Sequence, residues 1–124
     1  MKNTIVVTGG AGFVGSNLIS LLIKKTKLKI ISIDNYSSGE KKNHIRNKRV
    51  TYIKENTKNI NRILKSKKNK IKTIFHFGEF SRIYQSFTKM NDCIDSNNIG
   101  SHEVFNFCLS NKIKLVYSAT SASI

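Results

Sequence analysis

Apolar residues recur along this chain in two alternating rhythms. Short, nearly continuous runs occur at 4–8 (Thr4-Ile5-Val6-Val7), 29–33, 50–53, 71–77 and 113–117. Runs of this kind read as strands covered on both faces. Between them lie stretches with helical spacing. Residues 13–25 place Val14, Leu18, Leu21 and Leu22 toward the sheet, and 58–68 place Ile60, Ile63 and Leu64 there. A longer region over 83–110, bent near 88–92, turns Ile94, Phe105, Cys108 and Leu109 inward. Residues 35–49 are polar and basic, with Ser37-Ser38-Gly39 as a turn signal and a short helix at about 40–46. Strands alternating with helices predict an α/β fold, a doubly wound parallel sheet. Right-handed crossovers then give about five strands in the order 3-2-1-4-5. With 124 residues, the whole of 1–124 forms one domain.

The first strand-to-helix junction carries chemistry. Thr8-Gly9-Gly10-Ala11-Gly12-Phe13-Val14-Gly15 is a glycine-rich turn of the Rossmann type, opening directly onto a helix. Glycines there let the chain turn sharply and let phosphates approach the backbone. The unpaired N–H groups and dipole of the helix start then face the anion. Asp34 closes the second strand at the distance where an acid accepts hydrogen bonds from an adenosine ribose. A carboxylate at that point repels a 2′-phosphate, so NAD is expected over NADP. Lys41 and Lys42 oppose that preference.

Composition narrows the rest. The formal charge is +15, rich in lysine among many asparagines and isoleucines. The sequence gives no nucleic-acid module to go with it, so the lysines are assigned to solvated helix faces. Neither a nucleic acid nor a membrane is expected as a partner. No apolar run is long enough to span a bilayer, and the early glycines interrupt any signal-peptide core. A cytoplasmic protein is expected. Cys93 and Cys108 lack metal-ligand spacing and read as buried thiols, and no metal site is foreseen. His76, at the end of a buried strand, reads as a hydrogen-bonded core residue rather than a catalyst.

Five ordered segments together resemble the extended short-chain dehydrogenase/reductases, and within them the NAD-dependent epimerase/dehydratase family. They are Thr8 to Ser16, Asp34-Asn35, Phe75-His76-Phe77-Gly78, Asn97-Asn98-Ile99-Gly100-Ser101 and Tyr117-Ser118-Ala119-Thr120-Ser121. The likeness is strongest to UDP-glucose 4-epimerases, with nucleotide-sugar 4,6-dehydratases next. It implies NAD as cofactor and a nucleotide sugar as substrate. Gly9, Gly12, Phe13, Val14 and Gly15 would then seat the pyrophosphate, and Asp34 and Asn35 would hold the adenosine ribose. Asn56 and Thr57 would border the adenine, with Asn56 replacing the family's usual acid. Phe77, Gly78 and Ser118 would run beside the cofactor, and Asn97 would support the cofactor-side loops. Thr120 would hydrogen-bond the reacting sugar hydroxyl as the catalytic position, with Ser118 or Ser121 in its place if the register slips. Glu79 departs from the small residues usual in the family and could pair with Arg82.

The family's general base is a tyrosine followed four residues later by a lysine, whose charge helps the phenol lose its proton. None of Tyr36, Tyr52, Tyr84 and Tyr117 has that lysine. The chain is therefore expected to be a truncated, cofactor-binding portion without the last strands or the substrate domain, and without turnover by itself. A non-catalytic NAD sensor is the alternative reading. The last strand should form an uncovered edge that favours self-association, so a homo-oligomer is allowed.

Overall fold

The computed structural model describes residues 1–37, 39–77 and 90–117, with backbone alone for 90–99. The strands are β1 (Thr4–Thr8), β2 (Lys29–Asp34), β3 (Val50–Lys54), β4 (Ile71–His76) and β5 (Lys114–Tyr117). The helices are α1 (Phe13–Lys25), α2 (Ile60–Leu64) and α3 (Met90–Asn111). All pairings are parallel, and the sheet order is β3-β2-β1-β4-β5, as the alternation predicts. β1 sits at the centre, with Thr8 level with Ile33 on one side and His76 on the other.

Side chains on β1 alternate between two cores. Ile5 and Val7 pack with Ile19 and Leu22 of α1, while Val6 points to the opposite side among Ile60, Leu64, Val104 and Phe107. Each of these apolar side chains, withdrawn from water, stabilises the fold by about 1.5–3 kcal/mol. This two-sided covering explains why the strands read as unbroken apolar runs.

Two helices are rotated from the expected faces. In α1 the buried positions are Gly15, Ile19 and Leu22, whereas Val14 and Leu21 are exposed. The cause is Gly15, where a Cβ would run into the carbonyl oxygen of Gly9. That contact fixes the helix rotation, and the buried stripe continues four and seven residues later. In α3 the inward stripe is Val104, Phe107 and Cys108, leaving Phe105 and Leu109 in solvent. Gly100 lies against the Thr57 hydroxyl and sets that rotation. The short helix expected at 40–46 is only a 3₁₀ turn, Lys41–Asn43. The helix expected at 58–68 is α2 flanked by 3₁₀ turns, Thr57–Asn59 and Lys65–Lys70.

At the amino ends of the strands, Asn3 N–H donates to Lys70 O at 2.9 Å and Lys29 N–H to Asn3 O at 2.9 Å. Arg49 closes the end of α1, its guanidinium donating to Ile23 O (2.8 Å), Thr26 O (2.9 Å) and Leu28 O (3.1 Å). The Ile23 and Thr26 carbonyls would otherwise be left over at the helix end, and the Leu28 bond carries the tie on to the start of β2.

Candidate functional site

The carboxyl ends of β1, β2, β3 and β4 converge on one crevice. Gly9 leaves β1 at φ 72°, a backbone conformation costly for any residue with a Cβ. A Cβ there would also lie 2.8 Å from Phe77 O, so the glycine is required twice over. Gly12 is the N-cap of α1 and supplies no side-chain cap, and no acidic residue stands in the first turn. The first N–H groups of α1 are thus left to an anion. Phe13 and Val14 border this helix start in solvent, at 80% and 55% exposure.

Asp34 is 8% exposed, and its carboxylate is held in place rather than free to swing. Ala11 N–H donates to its Oδ2 at 3.0 Å, and Tyr36 N–H donates to its Oδ1 at 2.7 Å. Tyr36 reaches that position with φ 63°. The acid at the end of β2 therefore faces the glycine turn. A carboxylate with one such bond on each oxygen retains lone pairs for two ribose hydroxyls.

The segment after Asp34 folds back over the turn. Glu40 N–H and the Asn43 side-chain amide both donate to Ala11 O, at 3.0 and 2.7 Å. A Cβ at Gly39 would sit 2.6 Å from Asp34 Oδ2, so only glycine passes there. The sequence places Ala11 in the glycine turn but marks neither its hold on this segment nor Asn43, since both depend on a fold-back that no local pattern announces. Asn35 is exposed, and its Oδ1 accepts from Ser37 N–H at 2.9 Å.

Beside the crevice, Tyr36, His44 and Tyr52 form an aromatic cluster in which Tyr36 lies tilted against His44. The Tyr36 hydroxyl bonds His44 Nε2 at 2.5 Å, and the His44 and Tyr52 rings stack 3.8 Å apart. Burial, then the negative charge of Asp34, then Tyr52, push the Tyr36 phenol above its ordinary pKa.

Just past β3, Asn56 Oδ1 accepts from Lys58 N–H at 3.0 Å, so its carbonyl serves as the cap of the following turn. Thr57 is buried against Gly100. Glu55 is held below the usual carboxylate range by donation from Arg62, Asn59 and the Asn56 N–H.

His76 is 1% exposed and bridges two hydroxyls. Its Nδ1 meets Thr8 Oγ1 at 2.7 Å and its Nε2 meets Ser101 Oγ at 2.9 Å. Thr8 Oγ1 also accepts from Phe77 N–H at 2.8 Å. The histidine thus ties β1, β4 and α3 together below the crevice. Phe77 lies beside Gly9, while Asn97 lies in α3 with only its backbone described. Gly78, Glu79, Arg82, Ser118, Thr120 and Ser121 lie outside the described residues. Among the described residues no histidine, cysteine, aspartate and glutamate side chains group to hold a metal.

An open glycine cradle, an uncapped helix start and a fixed carboxylate beside them fit an adenosine diphosphate. Comparisons with known proteins agree. The fold matches UDP-glucose 4-epimerase of Thermotoga maritima with a TM-score of 0.80 and 25% identity, over 92% of this chain and 37% of that one. UDP-N-acetylglucosamine 4-epimerase of Methanobrevibacter ruminantium matches with 0.77 and 30%, over 93% and 37%. The dTDP-glucose 4,6-dehydratase of Bacillus anthracis, solved with NAD, matches with 0.74 and 26%, over 92% and 36%. The chain spans little more than a third of each of these proteins. The family model for NAD-dependent epimerases and dehydratases matches residues 5–124. With cradle, carboxylate and sheet order in agreement, the chain belongs to the NAD-dependent epimerase/dehydratase family.

Proposed function

We propose that this chain binds NAD as the cofactor-holding part of a cytoplasmic nucleotide-sugar epimerase of the UDP-glucose 4-epimerase type. The observation that carries the reading is the Asp34 carboxylate, fixed by Ala11 N–H at 3.0 Å beside the glycine turn. In this arrangement the helix start receives the diphosphate, Asp34 receives the ribose hydroxyls, and Asn56 and Thr57 border the adenine. NAD bound there supplies reversible hydride removal from a sugar carbon. Thr120 is the residue we assign to the reacting hydroxyl, since a threonine hydroxyl both donates and accepts as that hydroxyl becomes a carbonyl. Epimerisation is preferred to dehydration because Ser121-Ala122 stand where a dehydratase carries an Asp-Glu pair. A non-catalytic NAD sensor is the second reading.

Calorimetric titration with NAD and NADP tests the common part of both readings. NAD should bind more tightly than NADP. A folded Asp34→Ala protein should lose at least about thirtyfold in NAD affinity, because hydrogen bonds to a charged acceptor contribute about 1.5–3 kcal/mol each. Unchanged affinity in that variant would remove the carboxylate from the site. Hydride chemistry on a nucleotide sugar, followed by absorbance of reduced NAD, then separates enzyme from sensor.

A further inference from the structure

We propose that the end of the sheet opposite the crevice docks on an anionic lipid bilayer. The five segments leading into strand starts are 1–3, 24–29, 46–50, 65–72 and 111–114, and each carries lysine. None of the seven acidic residues falls in any of them. Both ion pairs among the described residues, Lys42–Glu40 and Arg62–Glu55, lie at the crevice end. Charge is thus segregated along the strand axis, which a uniform lysine bias does not produce.

The basic end is level and continuous. Thr4 starts β1 in register with Lys29 of β2 and Ile71 of β4. Lys2 Nζ donates to Lys112 O at 3.1 Å, and the Asn3 bonds to Lys70 and Lys29 join the neighbouring segments. Lys2, Lys27, Lys29, Lys68, Lys70 and Lys112 are all exposed there. Five strands at about 4.8 Å spacing make the face roughly 20 Å across. Like charges on adjacent segments repel one another over a screening length of about 8 Å at physiological salt. A plane of anionic headgroups relieves that repulsion.

The chemistry favours a lipid surface over nucleic acid. These segments contain no aromatic residue for base stacking. Arg49, which could fork onto a phosphate, is engaged with three carbonyls. Met1 stands fully exposed on this end, an apolar group able to enter the headgroup layer. The orientation leaves the crevice facing water. The sequence alone expected no membrane partner, because it does not reveal that lysines from five separate segments meet on one plane.

Sedimentation of the full chain with vesicles tests this. The protein should bind phosphatidylcholine vesicles containing about one third phosphatidylserine, release in high salt, and ignore pure phosphatidylcholine. Each lysine near such a surface strengthens binding roughly fivefold, so K27E/K29E/K68E/K70E should bind at least a hundredfold more weakly. The neutral K27Q/K29Q/K68Q/K70Q set should show an intermediate loss, with folding of each followed by circular dichroism. K41E/K42E/K54E/K58E makes the same charge change at the other end and should stay within about threefold of wild type. Equal loss in both glutamate sets, no loss in the glutamine set, binding to neutral vesicles, or displacement by duplex DNA at equal phosphate would each overturn the proposal.

Discussion

Alanine at Gly12 and alanine at Gly15 should fail in different ways, and the contrast tests the crevice more sharply than loss of either alone. A Cβ on Gly15 would overlap Gly9 O and lie 2.8 Å from Gly9 C and 2.9 Å from Gly10 Cα. All three are backbone atoms that cannot rotate away. Overpacking of this kind costs about 2 kcal/mol, or roughly 8 °C in Tm for a domain of this size. The turn would also shift, and NAD binding would go with it. A Cβ on Gly12 meets only Gly9 O, at 3.3 Å, and Gly12 sits at φ −81°, where alanine is unstrained. The cost to stability should be about 0.5 kcal/mol, the penalty of alanine at an N-cap. Yet the new methyl would stand in the space through which an anion reaches the first N–H groups. NAD affinity should fall about tenfold or more, a loss of roughly 1.4 kcal/mol. Thermal melts and calorimetry on the two variants separate these effects. A Gly12→Ala protein with wild-type NAD affinity would refute the diphosphate seat, and a Gly15→Ala protein of wild-type stability would refute the packing argument.

Three further outcomes are expected. Ser101→Ala should destabilise the fold by about 1–3 kcal/mol in urea titration, because it removes the buried hydrogen bond between the Ser101 hydroxyl and His76 Nε2. Burial raises the Cys108 thiol to about 11 from an ordinary 9.0, so this acid keeps its proton longer when folded than when unfolded. Its contribution should be present below pH 9 and decline as pH rises toward 11, and in a Cys93→Ser background the native protein should react with a disulfide reagent far more slowly than the unfolded chain. Leu109 is 78% exposed on an apolar groove with Phe105, Leu115 and Tyr117. Leu109→Glu should therefore leave Tm nearly unchanged while reducing dye binding and concentration-dependent association in ultracentrifugation.

Much of this architecture is readable one residue at a time. The runs at 4–8 and 29–33 lie at the sheet centre, buried on both faces except at Lys29, and their length and composition leave little choice. Strand order follows from crossover handedness, which is local physics. His76 reads as structural because a lone histidine at the end of a buried strand is more often a hydrogen-bonded core residue than a catalyst, and the fold supplies Thr8 and Ser101 from 68 and 25 residues away. Helix rotation was less legible. Val14 and Leu21 fit an apolar stripe as well as Ile19 and Leu22 do, and the decision belongs to a steric contact between Gly15 and Gly9. Phe105 and Leu109 mislead for the same reason. The hold on Ala11 by Asp34, Glu40 and Asn43 depends on tertiary fold-back, and no spacing rule encodes it.

That hold on Ala11 has a consequence for how ligand fragments behave. One residue donates to the Asp34 carboxylate and accepts from the loop that folds back over it, and it lies within the glycine turn itself. A nucleoside without its phosphates and a pyrophosphate without its nucleoside must each organise the same piece of backbone. Once either is seated, the other finds that work done. Adenosine and pyrophosphate added together should therefore show positive cooperativity, and the covalent tether in ADP should act as a local concentration in the millimolar range or above.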